Sequence, residues 1–335
     1  DKGEGSNVVL QDETMLEMQK VVIETGCPVL VTIAYSDMGN YEKADQFLTD
    51  CKKGKSGSVV IYDVRQDGGI NRMKFIYDGT DMSVVSTSGV WVENDAPGIA
   101  YTTYTRIKEW EYTEKCWFCY ELCVPEPPEV SEIVDGSCLI RIKPMTEEQR
   151  EMSKLCVQGI GYQGNNLLYS NWNLDNLEQL DYNGLYEYLY RMKYGEQFHA
   201  EKYLDGIPQD EFESLITEYL PISAERLQEY AEFDETTKMY AWAPLGCGNY
   251  SPNFFGTSMP EVVEVKENPD DTVTLTVNAV CDMVICDDAL ITHNLTVKFK
   301  EDGSFQYLGN EIREEDIINV PEYQYRVKGE IKNGS

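Results

Sequence analysis

The chain has 335 residues, with 28 basic and 59 acidic side chains, for a net charge of −31. A field of that sign repels phosphate backbones and anionic headgroups, which argues against nucleic-acid binding and against electrostatic attachment to lipid. Hydrophobic residues make up 42%, enough for ordinary cores, and no run approaches the roughly 18 apolar residues of a membrane span.

The length suggests two domains. The opening Asp1-Lys2-Gly3-Glu4-Gly5-Ser6-Asn7 is small and polar, like a tether, with neither a basic n-region nor an apolar h-region. Any signal peptide is therefore expected to have been removed from this chain. Cysteines stand at 27, 51, 116, 119, 123, 138, 156, 247, 281 and 286. An even count in an acidic, tether-fronted chain favours an oxidising compartment in which most of them pair.

The first element is a helix. Asp12 is placed to cap it, Met15, Met18 and Val22 recur at helical spacing, and Gly26 with Pro28 ends it. The next hundred residues read as strands with tight turns. Val59-Val60-Ile61-Tyr62 is β-rich, Met73, Phe75 and Tyr77 alternate with polar residues, and Asp67-Gly68 and Asp78-Gly79 mark turns. Extended segments follow around Trp91, over Ile99–Tyr112, and over Cys116–Leu122. After the stiff Pro125-Glu126-Pro127-Pro128 comes a last strand near Leu139–Ile142. Local strands joined by short turns predict an antiparallel meander.

From Thr146 the pattern turns helical, with Thr146 and Gln149 spaced as a capping box. The Gly- and Asn-rich stretch from Gly159 to Asn173 is read as a domain boundary. Leu185, Tyr188, Leu189 and Met192 form a helical stripe, and Phe212, Leu215, Ile216, Tyr219 and Leu220 form another between Pro208 and Pro221. Ser223 caps the next helix. The C-terminal part alternates cleanly. A strand over Glu261–Glu267, then Val273, Leu275, Val277 and Ala279, then Ile291, His293, Leu295, Val297 and Phe299, then Phe305–Leu308, predict a four-stranded antiparallel sheet. The expected class is α+β, with two domains, each a mainly antiparallel β-meander packed by helices on one side: residues 1–158, residues 159–326, and a tail over 327–335.

Several of these segments carry a resemblance. Leu185–Gly195 (LYEYLYRMKYG), Ile207–Glu213 (IPQDEFE), Tyr219-Leu220-Pro221-Ile222-Ser223 and the turn Gly303–Tyr307 (GSFQY) resemble uncharacterised surface lipoproteins of Gram-positive anaerobes, a family defined only as a domain of unknown function. The resemblance spans roughly residues 165–320 and carries no catalytic residue. It implies export and lipid anchoring through a cysteine upstream of Asp1, and hence an extracellular, cell-surface location.

The motifs that could carry chemistry are weak. Gly159-Ile160-Gly161-Tyr162-Gln163-Gly164 matches G-x-G-x-x-G, but a helical segment precedes it and an Asn-rich loop follows, so it reads as helix termination. Gly54-Lys55-Ser56 lacks the earlier glycine of a P-loop, since position 49 is Thr49. Asn171, Asn173 and Asp175 resemble the start of a calcium loop whose sixth and twelfth positions, Asn176 and Tyr182, depart from it. His199 and His293 are the only histidines, and His293 falls on the apolar face of a strand. No cofactor or metal is expected.

Cys116-Trp117-Phe118-Cys119 invites a redox or zinc reading, but it alternates as a strand, which would hold the two thiols on opposite faces and beyond bridging distance. Bridges from Cys116, Cys119 and Cys123 are expected to reach other strands or loops, with Cys138 a candidate partner. Cys281 and Cys286 are local candidates if the chain turns between them. Tyr101, Tyr104, Trp110, Tyr112, Trp117 and Tyr120 cluster in one hairpin, where they either fill the core or form a binding surface. The resulting expectation is a non-catalytic module that binds a peptide, a glycan or an envelope partner. The alternatives are a secreted hydrolase using two carboxylates and a carrier of lipid or another apolar ligand.

Overall fold

The structure is a computed structural model and describes residues 9–92, 96–125, 128–129, 131, 136–246, 254–281 and 289–327. The chain divides into two compact units, one ending at Met145 and the other beginning at Thr146. Both are α+β with mainly antiparallel sheets, as the alternation of the sequence predicts.

The first unit opens with helix α1 (Asp12–Ile23), the short strand β1 (Val29–Val31) and helix α2 (Glu42–Cys51). Strands β2 (Gly57–Val64), β3 (Ile70–Tyr77), β4 (Met82–Val92), β5 (Ala96–Tyr112), β6 (Trp117–Leu122) and β7 (Ser137–Arg141) follow. All seven strands form one sheet in chain order. Turn chemistry sets the register. Asp78 Oδ1 accepts from Thr80 N and Asp81 N at 2.8 Å each, closing the β3–β4 turn.

Two features of this unit depart from the sequence reading. Asp12 is the first residue of α1, and the capping position falls on Gln11, which makes no side-chain cap. The helices also occupy both faces of the sheet. Val59 and Ile61 of β2 pack with Ala44, Phe47 and Leu48 of α2, whereas Val64 and Tyr62 pack with Met15 of α1. Successive strand residues point to opposite faces, so α1 and α2 cover opposite sides at the β1–β2 edge. This follows from a β-α-β connection. β1 and β2 are parallel, with Val29 opposite Tyr62 and Val31 opposite Val64, and parallel neighbours need a crossover that α2 supplies.

The core on the α2 face is aromatic. The Phe75 ring centroid lies 5.2 Å from Phe118, and Phe118 stacks on Tyr120 at 4.8 Å. These rings occupy the concavity that a carrier would need to keep open.

In the second unit, helix α3 (Glu147–Met152) begins at the predicted capping box: Thr146 Oγ1 accepts from Gln149 N at 3.1 Å, and Gln149 Oε1 accepts from Thr146 N at 3.0 Å. The helix widens into a π-turn over Ser153–Val157. This stretch packs with the C-terminal sheet, since Ser153 Oγ accepts from Val262 N at 2.9 Å. The division between units therefore precedes α3, about a dozen residues ahead of the boundary expected at 158–159.

Helix α4 (Tyr182–Tyr194) is the centre of this unit, and Tyr182 through Leu189 are all buried. Asp181 caps it by accepting from Gly184 N at 2.9 Å, and Gly195, with φ 63°, ends it in the left-handed conformation. Around it lie helices α5 (Gln209–Tyr219) and α6 (Ala224–Tyr230). A small sheet places β10 (Met239–Tyr240) between β8 (Ile207–Pro208) and β9 (Phe233–Asp234). The predicted meander is present as β11 (Met259–Glu267), β12 (Val273–Val280), β13 (Thr292–Phe299) and β14 (Phe305–Ile312), antiparallel and in chain order.

Candidate binding surfaces

The aromatic residues singled out in the sequence divide by depth. Tyr112 and Trp117 are each 6% exposed, and Trp110 packs edge-on against Tyr77 and Phe118. Arg141 covers the Trp117 ring at 4.4 Å. Only Tyr101 and Tyr104 of the group stand at the surface, 49% and 66% exposed. Three residues apart on one strand, they point to opposite faces.

These two tyrosines belong to an arm made by β4 and the first part of β5. Along it β5 pairs with β4 from Ala96 to Arg106, but its pairing with β6 begins only at Ile107. Arg106 O already accepts from Cys123 N at 2.9 Å, which ends the ladder on that side. Among the described residues, nothing pairs with the outer edge of Ala96–Thr105. Alternation in an antiparallel ladder then directs the backbone groups of Thr102 and Tyr104, like those of Arg106, outward. Residues 82–92 and 96–108 contain no acid and two cations, Arg106 and Lys108, in a chain that carries 59 acids. Pro97 and a bulge at Ala100 protect one end of this edge, while Tyr101–Thr105 has neither charge nor bulge.

The cysteines do not meet. No disulfide joins any two of the eight described cysteines. The register explains this within the group at 116–138: Cys138 stands opposite Tyr120 and shares its face, while Cys119, one residue earlier, points the other way. Cys116 lies in the turn before β6 with φ 67°, and Cys123 is exposed. The bridging expected among Cys116, Cys119, Cys123 and Cys138 is thus replaced by separate thiols. Cys281 is buried and free, and its candidate partner Cys286 lies outside the described residues. Burial pushes the Cys156 thiol up to about 12 and the Cys51 thiol, beside the Asp50 carboxylate, up to about 11, which makes both inert at neutral pH.

The second unit holds a cleft of about 500 Å³ that no motif announces. Its walls come from the turn after the π-turn (Gln158 to Gln163), from α4 (Glu187, Tyr188, Arg191), from Phe198, and from Trp242 to Leu245. The G-x-G-x-x-G segment therefore does end a helical stretch, and it also forms one wall. Gly164 is required there: a Cβ would stand 2.7 Å from the Tyr188 hydroxyl, and its φ of 72° suits glycine.

Beneath the cleft, charge is tightly arranged. Arg326, 2% exposed, donates from Nη1 to Glu187 Oε2 at 2.8 Å and from Nη2 to Gly184 O at 2.8 Å, with further bonds to Gly164 O and Ala243 O at 3.2 Å. A buried guanidinium tied to a carboxylate and to three carbonyls has its donors well spent. Asp181 lies in the same region, with Tyr323 Oη donating to its Oδ2 at 2.5 Å. Burial holds its carboxyl above the usual range, against the pull of Tyr323, the Gly184 amide and Arg326. Arg191 differs. Its side chain is 48% exposed at the cleft, and among the described residues it makes one hydrogen bond, from Nη2 to Glu187 Oε1 at 3.4 Å.

The remaining motifs resolve into structure. His293 is fully buried, with Nδ1 2.6 Å from Asn310 Oδ1 and Nε2 2.8 Å from Tyr162 Oη. The Asn310 amide is committed to Leu168 O and Ser170 O, so its Oδ1 accepts from Nδ1–H, and Nε2 accepts from Tyr162. Burial lowers this imidazole from 6.5 to about 4, leaving it neutral. It is a satisfied core histidine. The calcium-loop side chains are also spent. Asn171 Oδ1 accepts from Ile312 N at 2.7 Å and Asn173 Oδ1 from Asp175 N at 2.8 Å, as in an Asx turn.

The geometry thus describes an α+β protein with a free strand edge in one unit and a small cleft in the other. Comparison with known families places it: the sequence profile of DUF6070, a family of unknown function, matches residues 1–326, and the chain belongs to that family. No curated protein and no solved structure matches the chain.

Proposed function

We propose that the chain is an exported, surface-held, non-catalytic binding module that takes an extended peptide onto the free edge of β5. The observation that carries this reading is the ten-residue edge Ala96–Thr105, unpaired on its outer side among the described residues and free of acids in a strongly acidic chain. Outward backbone groups at Thr102 and Tyr104 would supply the main-chain ladder. Tyr101 and Tyr104, on opposite faces, would clasp alternate side chains. Arg106 and Lys108 at the inner end are already paired with Asp81 and Glu121, so the main-chain ladder and the two tyrosines carry the recognition.

Export and lipid anchoring rest on the resemblance to surface lipoproteins. The charge balance is in keeping with it, whereas the lack of a disulfide among the described cysteines withdraws the support that cysteine pairing would have lent to an oxidising compartment. A two-carboxylate hydrolase is less well supported: each of the four clefts described along the chain is lined by at most one carboxylate, and Glu187 in the second-unit cleft is committed to Arg326.

Peptide selection from a displayed random library, followed by hydrogen exchange, tests the proposal. Enriched peptides should be rich in β-branched residues, should protect the amides of Thr102 and Tyr104, and should lose binding to Thr102→Pro, which removes one outward N–H. Failure to enrich any peptide, or binding unaffected by Thr102→Pro, would reject it. Protease shaving of intact cells expressing the full-length protein tests the surface location separately.

A further inference from the structure

The cleft in the second unit has a chemistry of its own, independent of the strand edge. Its charged lining residues are Glu187 and Arg191. Glu187 is 6% exposed and its charge is balanced by the buried Arg326 at 2.8 Å. Arg191 shares that carboxylate from its other oxygen at 3.4 Å, so two guanidiniums face one acid among the charged residues lining or anchoring the cleft, and Arg191 is the exposed one. A guanidinium has five donors in a planar fork, and one bond of 3.4 Å leaves most of them available.

Around this cation the walls are mixed. Tyr188, Phe198 and Trp242 supply apolar surface, and Gln158 and Gln163 supply amides. The Trp242 indole N–H, buried in the wall, finds no acceptor among the described residues. Arg191 thus keeps unspent donors at the cleft, and the orphaned indole N–H lies buried behind the same wall.

We propose that this cleft binds a small monocarboxylate carrying an apolar body, with its carboxylate on the Arg191 guanidinium and its body against Phe198 and Trp242. The cleft volume, about 500 Å³, lies in the usual range for small-molecule sites. A carboxylate matches the fork of a single arginine in a bidentate pair. A phosphate dianion, with nearly twice the charge, would meet only one free cation within a repelling field. The carboxylate of Glu187 has a positioning role: it anchors Arg326 on one side and holds Arg191 from the other.

The test uses the full chain and three probes: phenylacetate, its neutral counterpart 2-phenylethanol, and inorganic phosphate. Binding is read by ligand-observed NMR and by perturbation of the Trp242 indole resonance, assigned with Trp242→Phe. Phenylacetate should bind in the millimolar range or tighter, and the other two at least about tenfold more weakly. Arg191→Gln should lose at least about tenfold in phenylacetate affinity, whereas Arg191→Lys, which keeps the charge and loses the fork, should fall between them. The side chain is half exposed, so neither variant should alter the fold, and an unchanged amide spectrum checks this. Absence of phenylacetate binding, equal binding of the alcohol, tighter binding of phosphate, or an Arg191→Gln variant that binds as the parent does would each overturn the proposal.

Discussion

His293 and Asn310, on neighbouring strands of the second sheet, face each other with Nδ1 2.6 Å from Oδ1, and the pairing fixes which imidazole nitrogen carries the proton. With Asn310 accepting, Nε2 must accept in turn, and the ring has no site for a second proton without breaking its bond from Tyr162.

A pH dependence follows. Burial lowers the His293 pKa from 6.5 to about 4, so the unfolded chain takes up the proton first as pH falls. The contribution is constant above pH 6.5 and declines between 6.5 and about 4, by on the order of 3 kcal/mol over that window. Urea unfolding of the parent and of His293→Gln at pH 7.5 and pH 4.5 isolates it from the carboxylates, and the variant should lose less stability on acidification. Parallel losses in the two proteins would refute the assignment.

Glu187 and Arg326 form a buried pair 139 residues apart in sequence. Arg326→Met should destabilise the second unit by about 3–5 kcal/mol, because it strands a buried carboxylate. Glu187→Gln combined with Arg326→Met should recover a substantial part of that loss. Unfolding monitored by the near-ultraviolet signal would show it, and a double variant no more stable than Arg326→Met would contradict the electrostatic account.

Gly184 sets helix propensity against packing. In an exposed helix Gly→Ala stabilises by about 1 kcal/mol. Here the added Cβ would stand 2.5 Å from Gly164 O and 2.6 Å from Asp181 Oδ2. Packing should win, and Gly184→Ala should destabilise by about 1–3 kcal/mol. A raised melting temperature would show that α4 has room to shift.

The lack of a disulfide among the eight described cysteines predicts at least eight titratable thiols in unreduced, denatured protein. A count of two or fewer, with Ellman's reagent, would restore the bridged arrangement expected from the sequence.

The meander of β11 to β14, the capping box at Thr146 and the cap at Ser223 were legible because each depends on a few adjacent residues. Helix α2 was also within reach, since Ala44, Phe47, Leu48 and Cys51 repeat at helical spacing, but strand-rich surroundings hid it. The parallel pairing of β1 was not legible: three apolar residues carry no sign of direction. Nor was the cleft, whose walls come from segments between Gln158 and Gly256 and whose Glu187 is paired with Arg326 near the end of the matched region. Of the aromatic hairpin, composition could place the rings, while burial, which separates Tyr101 and Tyr104 from Tyr112 and Trp117, depends on where neighbouring strands stop.

The Arg326 anchor also bears on how the protein is made. Synthesis runs from the N-terminus, and early domains fold first. Every element of the first unit described here precedes Met145, so that unit has its helices and sheet in hand while the ribosome is still working. The second unit cannot complete the buried pair of Glu187 with Arg326 until Arg326 has emerged, when α4 and all four strands of its sheet are already made. Until then only Arg191 stands beside the Glu187 carboxylate, and the final closure of this unit waits until residue 326 has been made.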